Sequence, residues 1–272
     1  MNKVRLEDIL AKKKRAEKIT MLTAYDYPLA RVIDQSGIDI ILVGDSLANV
    51  VLGLSSTRDV NMDIMIHHAK AVRRGVQRAF LVGDMPCGSY EKSPEDAIQN
   101  AKRFIDEAGC DGVKLEWCEN CVDVAAAIVK TGIPVMGHVG LTPQTAVEFK
   151  VQGKDAYSAR RIMQESQQFE ATGCFSLVLE CIPDRLAEEI TKGLKIPTIG
   201  IGAGLFCDGQ VLVTHDLLGF SSQIHPKFVK QYVDLNSTVL QAIQQFQKEV
   251  LHGQFPDAKH SYHMSEEELR KS

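Results

Sequence analysis

Five apolar runs in this chain stop on groups able to do chemistry: Asp45 with Ser46, Asp84, Lys114 with Glu116, His138 and Glu180. The tetrapeptide Leu-Val-Gly-Asp closes two of these runs, at residues 42–45 and 81–84. Singly, each acid could be a helix N-cap or one half of a structural ion pair. Their recurrence at five run ends favours one polar site shared by neighbouring strands. Lys114 and Glu116 are two apart, so they share one strand face and Leu115 takes the other. An ammonium and a carboxylate on an inward face need a polar layer around them, because unpaired charge is costly to bury.

Asp45, Asp84 and Glu116, with no clustered Cys or His, form a hard, oxygen-rich set. Such a set suits Mg²⁺, which takes one or two carboxylates, keeps waters and leaves positions for substrate oxygens. The competing reading is that Lys114 neutralises the acids and no metal binds. A 2-oxo acid could chelate the ion through both its oxygens, with the metal as Lewis acid toward an enolate. Glu180, on a separate strand, would be the free base that removes the proton next to the carbonyl.

Other signals carry less. Cys118-Glu119-Asn120-Cys121 is a CxxC without a second pair, which argues against zinc. His67-His68 falls mid-helix and reads as packing or solvent-facing, and His260 and His263 are too sparse for a metal site. Gly200-Ile201-Gly202-Ala203-Gly204 lacks the dinucleotide spacing, although glycines at a late strand end would let a phosphate approach.

The elements that position these groups follow a regular alternation. Apolar runs such as Ile38–Val43 read as strands buried on both faces, as in a parallel sheet covered by helices. Strands are expected at Ile19–Tyr25, up to Val43, at Ala79–Asp84, Gly112–Glu116, Pro134–His138, Phe175–Glu180, Pro197–Ile201 and Val211–Val213. Met65, Ala69, Val72 and Val76 form one helical stripe. Ser93-Pro94-Glu95-Asp96 is a helix start with Ser as N-cap and Pro in the first turn. Further helices are expected at Val122–Lys130, Ala156–Ala171 and Arg185–Leu194, with two or three C-terminal ones, one carrying Val239, Leu240, Ile243 and Phe246. Eight strands alternating with helices imply a single (β/α)₈ barrel domain over residues 1–272, the TIM-barrel arrangement, with a doubly wound sheet as runner-up. Leu6–Ala16 would be a short N-terminal plug or brace. Residues 252–272 read as a polar, loosely held tail.

Composition narrows the functional classes. A formal net charge of −4 gives no electrostatic case for nucleic acid. No apolar stretch approaches the ~20 residues needed to span a bilayer, so no membrane partner is expected. The basic run Lys12-Lys13-Lys14-Arg15 has no apolar segment after it, unlike a secretory signal. Seven cysteines without even spacing suit a reducing cytosol.

Several motifs occur in a familiar order. They are Thr23-Ala24-Tyr25-Asp26-Tyr27, Val43–Ser46, Val113–Glu116, Gly137-His138-Val139-Gly140-Leu141-Thr142-Pro143-Gln144, Leu179–Pro183, Ile199–Gly204 and Asp208–Val213. In this set the chain closely resembles the ketopantoate (3-methyl-2-oxobutanoate) hydroxymethyltransferase family, from about Ile19 to Phe220. The resemblance implies a Mg²⁺-dependent (β/α)₈ enzyme of pantothenate and coenzyme A biosynthesis. It would transfer a hydroxymethyl group from 5,10-methylenetetrahydrofolate to 3-methyl-2-oxobutanoate, giving 2-dehydropantoate. By motif match, Asp45 and Asp84 would hold the metal, with Glu116 near it directly or through water. Ser46 and Lys114 would bind the oxo acid, His138 would line its pocket and Glu180 would accept the proton. The resemblance also implies a cytoplasmic homo-oligomer, often a ring-shaped decamer, with an intersubunit role for the C-terminal helices.

The chain departs from the family pattern at three places. Trp117-Cys118 replaces two glycines after Lys-Leu-Glu, Ala48 replaces a glycine after Asp-Ser-Leu, and the loop where Phe149 meets Lys150 is shortened. These changes bear on the rim loops and the folate site more than on the metal site. Two other readings stand beside this one. The first is a Mg²⁺-dependent 2-oxo acid lyase or mutase of the phosphoenolpyruvate mutase and isocitrate lyase kind, although a Lys-Cys-Gly-His nucleophile motif is absent. The second is a non-catalytic barrel that binds an oxo acid.

Overall fold

The computed structural model describes residues 2–146, 148, 150–220 and 226–271. Phe149, where the shortened loop falls, lies outside the described residues. The chain divides into a larger unit, Met1–Thr214 with His225–Val229, and a smaller one, His215–Ile224 with Lys230–Ser272.

The larger unit holds a closed barrel of eight parallel strands in sequence order. They are β1 Ile19–Thr23, β2 Ile40–Val43, β3 Phe80–Asp84, β4 Gly112–Glu116, β5 Val135–Gly140, β6 Ser176–Glu180, β7 Thr198–Ile201 and β8 Gly209–Leu212. β8 closes on β1 with Met21 beside Val211. In chain order, the helices of this unit are α1 Leu6–Lys14, α2 Tyr27–Gln35, α3 Leu47–Val50, α4 Met62–Gly75, α5 Pro94–Asp106, α6 Cys121–Lys130, α7 Ala156–Ala171 and α8 Asp184–Gly193. The Ser93 start signal operates as read, its hydroxyl accepting the Asp96 N–H at 3.1 Å. The expected (β/α)₈ architecture is therefore observed, with β7 joined to β8 by a loop and no helix.

The strand alternation sorts the core into two apolar clusters. Inside the barrel lie Ile19, Met21, Ile40, Leu42, Phe80, Val82, Met136, Val178 and Ile199. The odd-facing partners, such as Ile41, Val43, Leu81, Val113, Leu115 and Leu177, pack outward with the helices. Extending the inward parity toward the strand ends places Asp84, Lys114, Glu116, His138 and Glu180 above the interior cluster.

Helix α1 seals the opposite end. Ile9 is fully buried among the interior residues, which is the plug expected from the sequence. Three lysines around it reach three aspartates, each standing one residue before a strand. Lys12 Nζ meets Asp39 Oδ2 at 2.7 Å, Lys3 meets Asp111 Oδ2 at 2.5 Å and Lys13 meets Asp208 Oδ2 at 2.7 Å. The same oxygens accept backbone N–H groups of the neighbouring strands, from Thr20 at 2.9 Å, Leu81 at 2.8 Å and Thr198 at 2.8 Å.

Helix α2 is absent from the sequence reading. It starts where Asp26 accepts the Leu29 N–H at 2.8 Å and has Pro28 in its first turn. Helix α9, Thr214–Leu217, begins on the last residue of the stretch Met1–Thr214, and the smaller unit carries the rest of it with α10 Leu235–Leu251 and α11 Glu266–Leu269. Leu240, Ile243 and Phe246 of α10 are exposed. Residues 252–271 add a 3₁₀ turn, Ala258–His260, and α11, and are exposed nearly throughout.

Candidate active site

The groups at the strand ends meet in one buried cluster. Register places Asp84 beside Lys114 and Glu116 beside His138, with Glu180 opposite Gly140. Lys114 Nζ donates to Asp84 Oδ1 at 2.7 Å and lies 3.9 Å from Glu116 Oε1. His138 bridges two acids, with Nδ1 3.4 Å from Glu116 Oε1 and Nε2 3.2 Å from Glu180 Oε2. Both contacts are within ion-pair range, but neither ring nitrogen is aligned for a hydrogen bond. Asp45 enters from the end of β2, its N–H donating to Asp84 Oδ2 at 3.3 Å. Ser46 Oγ shares a 2.8 Å hydrogen bond with the Tyr25 hydroxyl. All the site residues expected from the sequence thus fall at one end of the barrel.

Two further residues organise the cluster. Gln144 donates its backbone N–H to Glu116 Oε2 at 3.0 Å and its side-chain amide to Asp45 Oδ2 at 2.9 Å and to the Met85 carbonyl at 3.0 Å. Tyr90 donates to Gln144 Oε1 at 2.7 Å, and its oxygen accepts the Glu116 N–H at 3.2 Å. Gln144 was visible in the sequence only as the end of a motif, and Tyr90 gave no signal. Their partners are far away in the chain, so no local spacing identifies them.

The electrostatics are unbalanced. Asp45 is held well above the usual carboxylate range by its burial, and then by the negative charges of Asp84 and Glu116. Asp84 is also raised by burial, with Lys114 offsetting part of the effect. Glu116 is lowered, because His138, Lys114 and the Gln144 N–H outweigh its burial. Burial opposes the charge on Lys114, yet Asp84, Glu116 and Asp45 raise it above the ordinary ammonium value. His138 is pushed up to about 9, as the flanking Glu116 and Glu180 overcome its burial and the nearby Lys114. Full ionisation would set four carboxylates against one ammonium and one imidazolium, leaving two surplus negative charges. A divalent cation matches that surplus, and all the oxygens on offer are hard donors.

Among the described residues, no three His, Cys, Asp or Glu side chains form a ready-made metal cage. An ion held by two carboxylates and completed by water and substrate oxygens does not require one. Glu116 already spends both oxygens on Gln144, His138 and Lys114, which fits a role through water. The glycine run after β7 is accounted for by packing. Gly204 has φ +78°, and a Cβ there would fall 2.4 Å from the Asp184 Cβ. His68, read from the sequence as packing or solvent-facing, holds the Tyr25 carbonyl with Nδ1 at 2.7 Å.

Beside the cluster, Gly140, Leu141, Thr142, Thr145, Gln152 and Arg161 help to line a cavity of about 390 Å³. The Trp117 N–H donates to the His138 carbonyl at 2.9 Å. Its indole packs edge-on against Phe169 with centroids 5.3 Å apart, which fixes the start of the loop leaving β4.

Among solved structures, the barrel is similar to a phosphonopyruvate hydrolase, with TM-score 0.64 and 12% identity, covering 99% of this chain and 94% of the other. It is also similar to 2,3-dimethylmalate lyase of the PEP mutase/isocitrate lyase superfamily, with TM-score 0.61 and 12% identity, covering 94% and 91%. These likenesses concern the fold. In sequence the chain is 49% identical over 272 residues to the 3-methyl-2-oxobutanoate hydroxymethyltransferase of Syntrophomonas wolfei, covering 99% of each. It is 52% identical to that of Moorella thermoacetica, covering 96% of this chain and 98% of the relative. The family model for ketopantoate hydroxymethyltransferase matches residues 3–258, which span the whole barrel and every acid of the cluster. Half-identity along the full length, over a barrel whose strand ends converge as the motifs require, makes this chain a member of the ketopantoate hydroxymethyltransferase family.

Proposed function

We propose that this chain transfers a hydroxymethyl group from 5,10-methylenetetrahydrofolate to 3-methyl-2-oxobutanoate, giving 2-dehydropantoate for pantothenate and coenzyme A biosynthesis. In this reading Mg²⁺ is held by Asp45 and Asp84, with Glu116 beside it. The observation that carries the reading is the surplus of buried carboxylates, of which Glu180 is the accessible one. Its side chain is 17% exposed, against 1% for Glu116 and 2% for Asp84. When bound, the divalent ion would supply Lewis-acid stabilisation of negative charge developing on the oxo oxygen.

The chain's own groups do the rest. Lys114 and Ser46 bind the oxo acid, and His138 lines its pocket. The Glu180 carboxylate takes the proton from C3 of the oxo acid. His138, 3.2 Å from Glu180 Oε2, keeps that oxygen from turning away. The electron-rich carbon then attacks the methylene carbon of the folate; its C–N bonds break, water supplies the hydroxyl, and tetrahydrofolate leaves with the C3 proton and the second hydrogen of the water on its nitrogens. In this reading the folate approaches through the cavity of about 390 Å³ beside Gly140. Among the described residues no helix is long and apolar enough to cross a membrane. A cytoplasmic homo-oligomer, decameric by resemblance, is the expected form, and light scattering tests it.

The direct experiment incubates the protein with Mg²⁺ and 3-methyl-2-oxobutanoate in D₂O and follows the C3 hydrogen by NMR. Exchange without folate, then formation of 2-dehydropantoate when methylenetetrahydrofolate is added, is the expected result. Absence of exchange would remove the proposed proton transfer. Exchange without product would leave a barrel that enolises the oxo acid without transferring the one-carbon unit.

A further inference from the structure

The loop leaving β4 carries a cysteine pair for which the proposed reaction has no use. Cys118 and Cys121 are separated by Glu119 and Asn120, and Cys121 opens α6. The Cys121 N–H donates to the Cys118 carbonyl at 3.2 Å, so the four residues form a tight turn. Such a turn brings its end Cα atoms within about 7 Å, near the range of roughly 4.4–6.8 Å that a disulfide spans. Within the same turn the Cys118 thiol donates to Asn120 Oδ1 at 3.3 Å. Cys118 is half-buried, whereas Cys121 is fully buried, and both are free thiols in this structure.

We infer that Cys118 and Cys121 form a reversible disulfide by thiol–disulfide exchange with a small external disulfide such as oxidised glutathione. This inference does not rest on the proposed reaction. The roles differ by position. Cys118 can be reached from solvent, whereas Cys121 lies buried behind it. Access to solvent suits Cys118 as the attacking thiol. Cys121, buried at the start of α6, is placed as the resolving thiol. Cys118, having given its proton to solvent, attacks one sulfur of the external disulfide. One small thiolate leaves and takes up a proton, producing a mixed disulfide on Cys118. Cys121 then loses its proton and attacks Cys118 Sγ, expelling the second small thiolate, which is protonated in turn. Two protein thiols are oxidised to one disulfide, and one external disulfide is reduced to two thiols.

The position gives the bond a route to the active site. Trp117, directly before Cys118, follows Glu116 and donates its N–H to the His138 carbonyl. Asn120, inside the pair, donates to the Glu91 carbonyl at 2.7 Å, in the loop that also carries Tyr90.

Trp117 is the chain's only tryptophan, so its fluorescence reports this loop alone. The test equilibrates the full chain in glutathione buffers of graded potential. It reads Trp117 emission, then alkylates the free thiols and maps them by peptide mass. The expected result is an emission change with one midpoint, matched by loss of alkylation at Cys118 and Cys121 together and reversed by dithiothreitol. Cys121→Ser should trap glutathione on Cys118, and Cys118→Ser should abolish both the adduct and the emission change. If both thiols stay alkylatable in the oxidised wild-type chain, or if wild-type Cys118 retains a glutathione adduct while Cys121 stays free, the inference is wrong.

Discussion

At the end of the barrel where the strands begin, Asp39, Asp111 and Asp208 each hold a lysine and the N–H of a neighbouring strand on a single oxygen. At the end where the strands finish, Asp45, Asp84, Glu116 and Glu180 share one ammonium, Lys114, and one imidazolium, His138. Both rims gather carboxylates, and Asp39 is as well shielded from solvent as Asp45, but the ratio of cations to acids differs. Asp39 is buried, yet Lys12 and the Thr20 groups more than compensate, and it sits below the usual carboxylate value. Among the described residues Asp45 has only the Gln144 amide as its side-chain donor, and it is held above that value. One rim is matched for stability. The other is left short of positive charge, as a site that completes itself with a cation and an anionic substrate requires.

The largest break in this comparison is Glu180→Gln. If the C-terminal rim exists to move a proton, removing its accessible base should slow C3 hydrogen exchange by about 10²–10⁴-fold. The Tm should change little, because Glu180 is the least buried acid of the cluster. Exchange by NMR and a thermal melt on the same sample check both halves. Next in size is the metal. Asp84→Asn should weaken Mg²⁺ binding in the presence of the oxo acid by at least the roughly 10–100-fold that loss of a supporting group costs. A calorimetric titration with unchanged affinity would remove Asp84 from the metal site.

How much of this could be read in the chain beforehand differs between the two rims. The C-terminal rim was legible because each acid closes an apolar run, and a buried strand that ends on a charge is a local pattern. Helix α7 was legible to the residue, since Asp155 caps it and Ile162 and Phe169 fall on one buried face. Helix α2 was not. Only Ala30 and Ile33 supply buried apolar side chains, and Val32 faces solvent, so the stripe is too thin to stand out. The N-terminal rim was also invisible. Lys3, Lys12 and Lys13 find their acids 108, 27 and 195 residues away, and a basic run alone says nothing of where it will land. Gln144 reaches Asp45 across 99 residues, and an amide has no type-specific pattern to betray it.

The same substitution at each rim sharpens the contrast. Asp39→Asn removes the acceptor shared by Lys12 and Thr20 and should cost roughly 1–3 kcal/mol. Asp45→Asn, measured without Mg²⁺, removes a carboxylate that resists ionisation and should gain about 0.5–2 kcal/mol. Opposite signs in urea unfolding at neutral pH are expected. A loss at both positions would mean that the C-terminal rim is matched after all.

The smallest expected effect is a pH dependence at the N-terminal rim. The folded-state value of Asp39 is lowered from 3.8, so the native protein releases this proton more readily than the unfolded chain does. Its contribution to stability is therefore present above the unfolded value and is lost as the pH falls through the folded one. Lys12→Met removes the nearest cation and leaves Arg78, at 3.9 Å, and Thr20 as the remaining partners. With burial then less opposed, the folded value rises and the contribution disappears at higher pH. Acid unfolding of Lys12→Met, followed by circular dichroism, should begin at a higher pH than in the parent chain. Above the titration range, the two curves should differ only by the constant cost of the lost ion pair. Coincident acid limbs would show that Thr20 and Arg78 hold Asp39 down without Lys12, and that this lysine braces helix α1 without setting the charge of the rim.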